Sequence, residues 1–192
     1  MTERQRLVIG ISGASGAVYG LGLLEACRNL DIETHLVISK AGEVTLAQET
    51  GKSLSEVRRL ADQNYKIGDI GAAIASGSFN TLGMVIAPCS VRTFSEIATG
   101  VTSSLLTRAA DVTLKERRRL ILAVRETPLH SGHLRSLAAL SDMGAVIAPP
   151  VPAFYTKPET LDDLVNQFTG HLLHLLGISN DLAKEWTGLR SG

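Results

Sequence analysis

Residues 7–20 read Leu-Val-Ile-Gly-Ile-Ser-Gly-Ala-Ser-Gly-Ala-Val-Tyr-Gly, and this stretch decides the fold. An apolar run at 7–11 leads into a turn rich in glycine and serine, and the apolar residues that follow, Leu21, Leu23 and Leu24, are typical of a helix. Glycines let backbone N–H groups approach a ligand closely, and the positive end of a helix dipole favours an anion. The order therefore predicts a strand, a tight turn and a helix N-terminus, with a phosphate-bearing cofactor at the end of the strand.

The spacing of the glycines separates this turn from two common phosphate-binding motifs. The glycines fall at 10, 13, 16 and 20, which does not fit G-x-G-x-x-G, and no Gly-Lys-Ser/Thr follows as in a Walker A loop. Turns of this composition also join strands to helices without any ligand. At this point both interpretations, a ligand site and a plain connection, remain open.

The bulk composition describes one apolar domain without net charge. The chain has 192 residues, 44% of them hydrophobic, and its 19 basic and 19 acidic side chains give a formal net charge of zero. This length suits a single α/β domain, and the lack of a basic excess argues against a nucleic-acid partner. Zero net charge also removes the repulsion between copies, which favours a homo-oligomer.

Cysteine content and hydropathy bear on the compartment. Cys27 and Cys89 lie far apart without the spacing of metal ligands, which predicts no metal site and fits a reducing cytoplasm. The chain contains no run of 18 apolar residues, so we expect no membrane span. Residues 1–6 are polar and too short for a signal peptide, and we therefore expect a cytoplasmic protein.

Short apolar runs alternate with helical patterns along the rest of the chain. Strands are predicted at 7–11, 33–39, 84–88, 120–124 and 145–148. Helices are predicted at about 17–30, 40–51, 54–62, 103–115, 132–142 and 160–176, with one more that ends near 99, and 68–78 is predicted as a loop. Continuous apolar strands are typical of a parallel sheet covered by helices on both faces, so the predicted fold class is α/β with three layers.

Polar residues cluster at the ends of four predicted strands. They are Ser12–Ser15, Ser39, Ser90–Thr93 and the pair Arg125-Glu126. In open parallel sheets, ligands bind in the crevice outside the carboxyl ends of the strands. The convergence of four strand ends on one crevice predicts a ligand site more strongly than any single motif does.

Eight short motifs, in one fixed order and over nearly the whole chain, match a known family. They are G-A-S-G-A at 13–17, S-K at 39–40, E-T at 49–50, S-G-S at 76–78, P-C-S-x-x-T at 88–93, R-A-A-D-V-x-L-K-E at 108–116, R-E-T-P-L at 125–129 and P-A-F-Y-x-x-P at 152–158. In these motifs the chain resembles the UbiX/Pad-type flavin prenyltransferases. That family lies within the flavoprotein superfamily, which also holds cysteine decarboxylases.

The resemblance implies a fold, a reaction and partners. The fold is a single Rossmann-like, flavodoxin-type domain over 1–192, whose C-terminal tail, about 178–192, packs on a neighbouring subunit of a dodecamer of trimers. The reaction joins a dimethylallyl group from dimethylallyl monophosphate to N5 and C6 of reduced FMN, without a metal. The product, prenylated FMN, is the cofactor of UbiD-type decarboxylases.

The resemblance also assigns roles to individual residues. The catalytic positions are Ser15, Glu49, Lys115 and Glu126. The FMN-binding positions are Gly13, Ala14, Ser15, Ser39, Ser90, Val91, Arg92, Thr93 and Arg125. The positions that bind the prenyl donor are Arg108, Lys115, Tyr155, His171 and Trp186. We expect Lys115 and Arg125 at the crevice, where cations neutralise a leaving phosphate while carboxylates move protons.

Three departures from the family pattern keep alternatives open, and one of them is Ile70, near a position where some relatives carry a Trp. His171 stands where the family usually carries Arg or Lys, and Gly132 and Arg135 are unusual in the segment 131–136. These changes leave open a non-catalytic paralogue that binds FMN or prenylated FMN. A cysteine decarboxylase is disfavoured, because its P-x-M-N-x-x-M-W motif does not occur in this chain.

Overall fold

A six-stranded parallel sheet forms the centre of the protein. The computed structural model describes residues 4–188. The strands are β1 (Arg6–Ile11), β2 (Glu33–Ile38), β3 (Gln63–Tyr65), β4 (Gly83–Cys89), β5 (Arg119–Val124) and β6 (Val146–Ile147), in the spatial order β3-β2-β1-β4-β5-β6. The helices are α1 (Ala17–Asn29), α2 (Lys40–Thr50), α3 (Leu54–Arg58), α4 (Val91–Ala98), α5 (Leu105–Lys115), α6 (Ser131–Asp142) and α7 (Leu161–Leu175). Short 3₁₀ turns lie at Ala73–Ala75 and Phe154–Thr156.

The sheet is buried on both faces, as its continuous apolar strands predict. Leu7, Ile9 and Ile11 of β1 join a core cluster with α1, α2 and α7, whereas Val8 of the same strand joins a second cluster with α4, α5 and α6. Successive side chains of a strand point to opposite faces, so this alternation gives two separate cores. The predicted three-layer α/β fold with a parallel sheet is therefore confirmed. Within residues 4–188, we find no helix whose length and apolar character would allow it to cross a membrane.

The strand order reverses between β1 and β4. β1 pairs with β2 on one side and with β4 on the other, so the chain that leaves β1 turns one way and the chain that leaves β4 turns the other. In sheets of this kind the two loops diverge and leave a crevice at the carboxyl edge. The fold itself therefore places a cavity beside the turn at 12–16.

The segment after α3 differs from the prediction. The predicted helix over 54–62 ends at Arg58, and an unpredicted edge strand, β3, pairs with β2. Asp62 fixes this turn, because its carboxylate accepts from the amide and the hydroxyl of Thr34 at 2.8 and 3.0 Å. β3 escaped prediction because its sequence, Gln-Asn-Tyr, is short and lacks the apolar run of a buried strand.

Candidate active site

A cavity of about 820 Å³ opens at the carboxyl edge of the sheet. It lies where the loops after β1, β2, β4 and β5 meet, and its volume is in the range of about 300 to 1,000 Å³ typical of small-molecule sites. Its lining includes all the residues predicted to bind FMN: Gly13, Ala14, Ser15, Ser39, Ser90, Val91, Arg92, Thr93 and Arg125. Glu126 lines the same cavity. The structure thus brings the four predicted strand ends to one site.

Ser12 ties the loop after β1 to the loop after β4. Its side chain is fully buried, and its Oγ donates to the carbonyl of Pro88 at 2.9 Å and accepts from the amide of Ser90 at 2.8 Å. A buried hydroxyl with both its donor and its acceptor satisfied is costly to displace. The two loops that flank the cavity are therefore held at a fixed separation.

Two glycines of the first loop are required by the backbone. A Cβ at Gly13 would clash with the Cβ of Ala41 on α2, and it would lie 3.1 Å from the backbone carbonyl carbon of that residue. Gly16 has a φ of 108°, in the left-handed region that favours glycine, and it caps α1. The glycine-rich turn therefore packs tightly against α2. At Gly16 the backbone enters α1 in a conformation that other residues adopt only with strain.

Glu49 caps the N-terminus of α1 from a distance in sequence. Its Oε2 accepts from the amides of Gly16 and Ala17, each at 2.9 Å. Desolvation opposes ionisation, but hydrogen bonds from Ser15, Ala17 and Gly16 outweigh it, and with the charge of Arg125 they lower the pKa of Glu49. Glu49 is therefore an ionised carboxylate within hydrogen-bond reach of Ser15, at the edge of the cavity.

The N-terminus of α4 supplies donors for an anion. Ser90 is its N-cap and accepts from the amide of Thr93 at 3.4 Å, and the two hydroxyls lie 3.1 Å apart. Val91, Arg92 and Thr93, the first residues of α4, line the cavity. Because the amides of a first helical turn lack partners within the helix, this end of α4 favours a phosphate.

Sequence reasoning missed a network built on Glu96. Its carboxylate accepts from Nε of Arg92 at 2.8 Å and from Oγ of Ser103 at 2.5 Å, and all three residues line the cavity. Desolvation opposes ionisation of Glu96, but the bonds from Ser103 and Arg92 prevail and lower its pKa. The Arg-x-x-x-Glu spacing signals a helical ion pair, but nothing local indicates that Ser103 folds back onto it. Glu96 therefore fixes the loop between α4 and α5, which forms one wall of the cavity.

Arg125 and Glu126 follow β5 directly. The amide of Arg125 donates to the carbonyl of Cys89 at 3.1 Å, which joins the loops after β4 and β5. Oε1 of Glu126 accepts from the amide of Thr127 at 2.9 Å. Arg125 and Glu126 therefore both line the cavity, and the charge of Arg125 helps to lower the pKa of Glu49.

Lys115 and Arg108 lie away from the cavity. For Lys115 this differs from the prediction, which placed it at the crevice. α5 starts beside the cavity at Ser104 and runs back toward the start of β5, so Lys115 at its last position lies about 15 Å away along the helix axis. Lys115 pairs with Glu116 at 2.5 Å, and Arg108 pairs with Asp111 at 2.6 Å. In its own chain neither side chain lines the cavity, and their predicted roles stay predictions.

The remaining donor-binding candidates gather around α7. Tyr155 and Trp186 are half-exposed and meet edge to face, with ring centroids 5.4 Å apart, and His171 is exposed on α7. The C-terminal segment from Asn180 to Lys184 packs on α7 of its own chain. Its predicted packing on a neighbouring subunit stays a prediction, and residues 1–3 and 189–192 of the predicted domain lie outside the described part of the chain.

The unusual segment at 131–136 has a local structural cause. His130 is the N-cap of α6, and its Nδ1 accepts from the amides of Gly132 and His133 at 3.0 and 3.4 Å. A Cβ at Gly132 would lie 2.8 Å from Cε1 of the capping ring. Glycine at 132 therefore makes room for a histidine cap at the start of α6, and neither Gly132 nor Arg135 lines the cavity.

The described residues offer no cluster of three or more His, Cys, Asp or Glu side chains arranged to hold a metal ion. Cys27 and Cys89 are both buried and unpaired with each other. Burial raises the pKa of the Cys27 thiol to about 12, with a smaller contribution from Asp62. Burial also raises the pKa of Cys89, the last residue of β4. Both thiols therefore stay protonated and act as small apolar core residues.

The chain is similar to known proteins over almost its full length. The Flavoprotein family profile matches residues 1–172. Flavin prenyltransferase UbiX of Escherichia coli (strain K12) is 56% identical over 187 residues, which cover 96% of this chain and 99% of the relative. This level of identity confirms the resemblance drawn from the eight motifs.

Two crystal structures superpose closely on this fold. AnUbiX (PadA1), in complex with FMN and dimethylallyl pyrophosphate, gives a TM-score of 0.96 at 45% identity and covers 98% of this chain and 100% of that one. A dodecameric FMN-dependent UbiX-like decarboxylase from Escherichia coli O157:H7 gives 0.93 at 44% identity, over 96% and 100% of the two chains. The predicted flavodoxin-type domain is confirmed, and the chain belongs to the Flavoprotein family and, within it, to the UbiX-type flavin prenyltransferases.

Proposed function

We propose that this protein is a flavin prenyltransferase that joins a dimethylallyl group from dimethylallyl monophosphate to N5 and C6 of reduced FMN. The product, prenylated FMN, would serve a UbiD-type decarboxylase. One observation carries the proposal: the predicted flavin-binding residues line one cavity together with two predicted catalytic groups, Ser15 and Glu126, and a third, Glu49, is hydrogen-bonded to Ser15. Family membership at 56% identity supports the same reaction.

The residues present fit FMN. The N-terminus of α4, with the hydroxyls of Ser90 and Thr93, offers several donors to a phosphate, and Ser39 adds a further polar group to the lining. Gly13 lets the first loop pack directly against Ala41 of α2, and both residues line the cavity. The cavity of about 820 Å³ also leaves space beside a flavin for a second, smaller substrate.

The chain's own groups supply what prenyl transfer requires. When it is bound, reduced FMN supplies the nucleophilic N5 and C6 atoms. Glu49 is ionised and hydrogen-bonded to Ser15, so this pair accepts a proton through the serine hydroxyl. Arg125 adds positive charge where the phosphate leaves, and Glu126 beside it is placed to move a second proton.

We propose that the donor-binding residues act across subunit contacts of a dodecamer built from trimers. Arg108 and Lys115 lie outside the cavity of their own chain, so their predicted contact with the donor requires another copy. Large apolar side chains near the tail are strongly exposed, among them Phe154 at 73% and Leu161 at 80%. Exposed apolar surface of this kind is typical of a protein interface, and a related protein is dodecameric.

We also place the protein in the cytoplasm. The support is its two buried, unpaired cysteines, which suit a reducing compartment. Its proposed partner molecules, FMN and an isoprenoid phosphate, are soluble and anionic, and the site that would take them faces water at the carboxyl edge of the sheet.

The test is anaerobic incubation of the purified protein with reduced FMN and dimethylallyl monophosphate, followed by mass spectrometry of the released flavin. A mass gain of one prenyl unit, absent with Glu126→Gln, is the expected result. The diphosphate donor is run in parallel to identify the preferred leaving group. Tightly bound FMN that stays unmodified with either donor would favour the non-catalytic flavin-binding paralogue.

A further inference from the structure

We infer that Gln167 is a positioning residue: it clasps the C-terminal segment and thereby sets Trp186 against Tyr155. Its effect on donor binding rests on the proposed function, whereas the clasp itself does not. Neither Gln167 nor its partner Lys184 belongs to the motifs that carry the family resemblance.

The side-chain amide of Gln167 pairs with the backbone of Lys184 in both directions. Its Oε1 accepts from the amide of Lys184 at 2.8 Å, and its Nε2 donates to the carbonyl of Lys184 at 3.3 Å. Gln167 is only 9% exposed, although it lies on a helix that faces solvent in its first turn. A buried primary amide needs such partners, and here the segment supplies both.

A second contact fixes the segment one turn further along α7. Nδ2 of Asn180 donates to the carbonyl of Gly170 at 3.0 Å. A Cβ at Gly170 would lie 2.5 Å from the backbone nitrogen of Ala183, so the segment touches the helix where only glycine leaves room. The path of the chain from Asn180 to Lys184 is therefore fixed at both ends.

The carbonyl of Lys184, which Gln167 holds, also contacts one of the two aromatic residues. Oη of Tyr155 donates to the carbonyl of Lys184 at 3.4 Å, the same oxygen that accepts from Gln167. Two residues later Trp186 meets the ring of Tyr155 edge to face. The position of Trp186 relative to Tyr155 thus depends on where Lys184 is held, and Gln167 makes the shortest bond to Lys184.

A third candidate for donor binding, His171, lies near Gln167 on α7. It follows Gln167 by four positions, and residues at this spacing are neighbours on a helix surface. His171 therefore lies one turn from Gln167 on α7, and Tyr155 and Trp186 meet at the segment that Gln167 holds. If Tyr155, His171 and Trp186 receive the donor, loosening the clasp should weaken donor binding and leave the flavin cavity as it is.

The clasp can be tested without any substrate, because Trp186 is the chain's single tryptophan. In the full-length assembled protein, Gln167→Ala should shift the tryptophan emission to longer wavelength and raise its acrylamide quenching. Gln167→Glu keeps the acceptor for the amide of Lys184 but loses the donor. Its emission wavelength should therefore lie between those of the parent protein and Gln167→Ala. Asn166→Ala, an adjacent exposed amide, is the matched control and should match the parent protein.

Kinetics then test the role in donor binding. Gln167→Ala should raise KM for dimethylallyl monophosphate about fivefold, as expected for a lost hydrogen-bonded contact, with kcat and FMN affinity unchanged. Parent-like emission and quenching in Gln167→Ala would overturn the clasp. Shifted emission with an unchanged donor KM would overturn its role in donor binding. A parent protein without transferase activity would instead refute the proposed function, and the fluorescence result would still decide the clasp.

Discussion

The flavin cavity and the α7–tail region, defined here as α7 with residues 154–156 and 180–186, are built in different ways. Cross-links between separate loops hold the cavity: Ser12 joins the loops after β1 and β4, and Glu49 of α2 holds the start of α1. The α7–tail region depends on one segment folded back on one helix. Tyr155 and Trp186 there are 50% and 58% exposed.

This difference fits two kinds of substrate. A preformed cavity orients a rigid, planar ring system at little entropic cost when the ring binds. A segment with few tertiary contacts opens locally at low free energy, which suits a small donor that must enter and leave in each turnover. We therefore expect substitutions in the cavity to change flavin binding and chemistry, and substitutions in the α7–tail region to change donor binding.

The largest effect is expected for Glu49→Gln. The amide oxygen can still accept from Gly16 and Ala17, so the loop keeps its shape, but the proton acceptor is lost. Prenyl transfer should fall by about 10² to 10⁴, the usual range for a lost acid–base group, while FMN affinity changes only a few-fold. The rate of product formation, followed by mass spectrometry, measures this. Glu43→Gln, on the same helix and paired with Arg58 at 3.2 Å, is the control and should retain full activity.

Gly13→Ala should give the next largest effect, this time on flavin affinity. The added Cβ clashes with Ala41, so either the first loop or α2 must move. Overpacking of this kind costs about 1–3 kcal/mol, which corresponds to about 5- to 150-fold in the FMN dissociation constant where the full cost falls on flavin binding. Flavin fluorescence titration measures it. Gly71→Ala is the control, because the nearest atom to its Cβ is 3.8 Å away. Equal FMN affinities for the two variants would contradict a rigid cavity.

The sequence predicts the cavity better than the α7–tail region, for physical reasons. Ser39, Ser90 and Arg125 follow apolar strands directly, and parallel strands end at one edge, so their meeting follows from the chain order. The pair of Tyr155 and Trp186 has no such rule, because it depends on how an irregular segment folds back. β3 escaped prediction since an edge strand needs no apolar run.

Lys115 and Glu96 show where one-dimensional patterns mislead. The motif around Lys115 matches the family, but a helix that returns to the start of the next strand carries its last residue away from the carboxyl edge. Glu96 has the spacing of an exposed helical ion pair with Arg92, yet Ser103 of the following loop completes its environment and turns it toward the cavity. In both cases the missing information is the path of the chain between elements.

Glu96→Gln tests whether this wall matters to the cavity. The amide keeps one acceptor but loses the charge that holds Arg92 and Ser103. We expect the FMN dissociation constant to rise about fivefold, in keeping with a lost charge-assisted hydrogen bond. Hydrogen exchange should speed up in residues 99–104. Ser103→Ala should act through the same contact, so the double variant should be no worse than Glu96→Gln alone. Trp186 emission should stay constant in each variant, and a shift would show that the two regions are coupled.

The lowered pKa of Glu49 predicts a pH window for stability. A carboxyl group whose folded pKa lies below its unfolded value of 4.5 stabilises the fold above pH 4.5, and this stabilisation is lost as the pH falls through the folded pKa. The difference in free energy of unfolding between the parent and Glu49→Gln should therefore be constant above about pH 5 and shrink below pH 4.5. Urea titrations across this range measure it. A difference that grows on acidification would contradict an ionised Glu49.

The smallest effect is expected for His171→Arg. This variant tests most directly whether the α7–tail region, rather than the flavin cavity, binds the donor. Arginine offers a permanent charge and a fork of donors to a phosphate, whereas imidazole offers a compact ring with one or two donors. Because residue 171 is exposed, solvent screens the added charge, and KM for the donor should fall only about two- to fivefold.

The kinetic parameter that changes in His171→Arg also distinguishes the flavin cavity from the α7–tail region. His171 lies on α7 and does not line the cavity, so kcat and FMN affinity should match those of the parent protein. His174→Arg, one turn further along α7, adds the same charge as a control and should leave the donor KM unchanged. A fall in donor KM that depends on position 171 would place donor recognition in the α7–tail region. Equal effects of arginine at 171 and at 174 would instead show that any added positive charge on α7 attracts the donor. Added salt would then abolish the fall in donor KM.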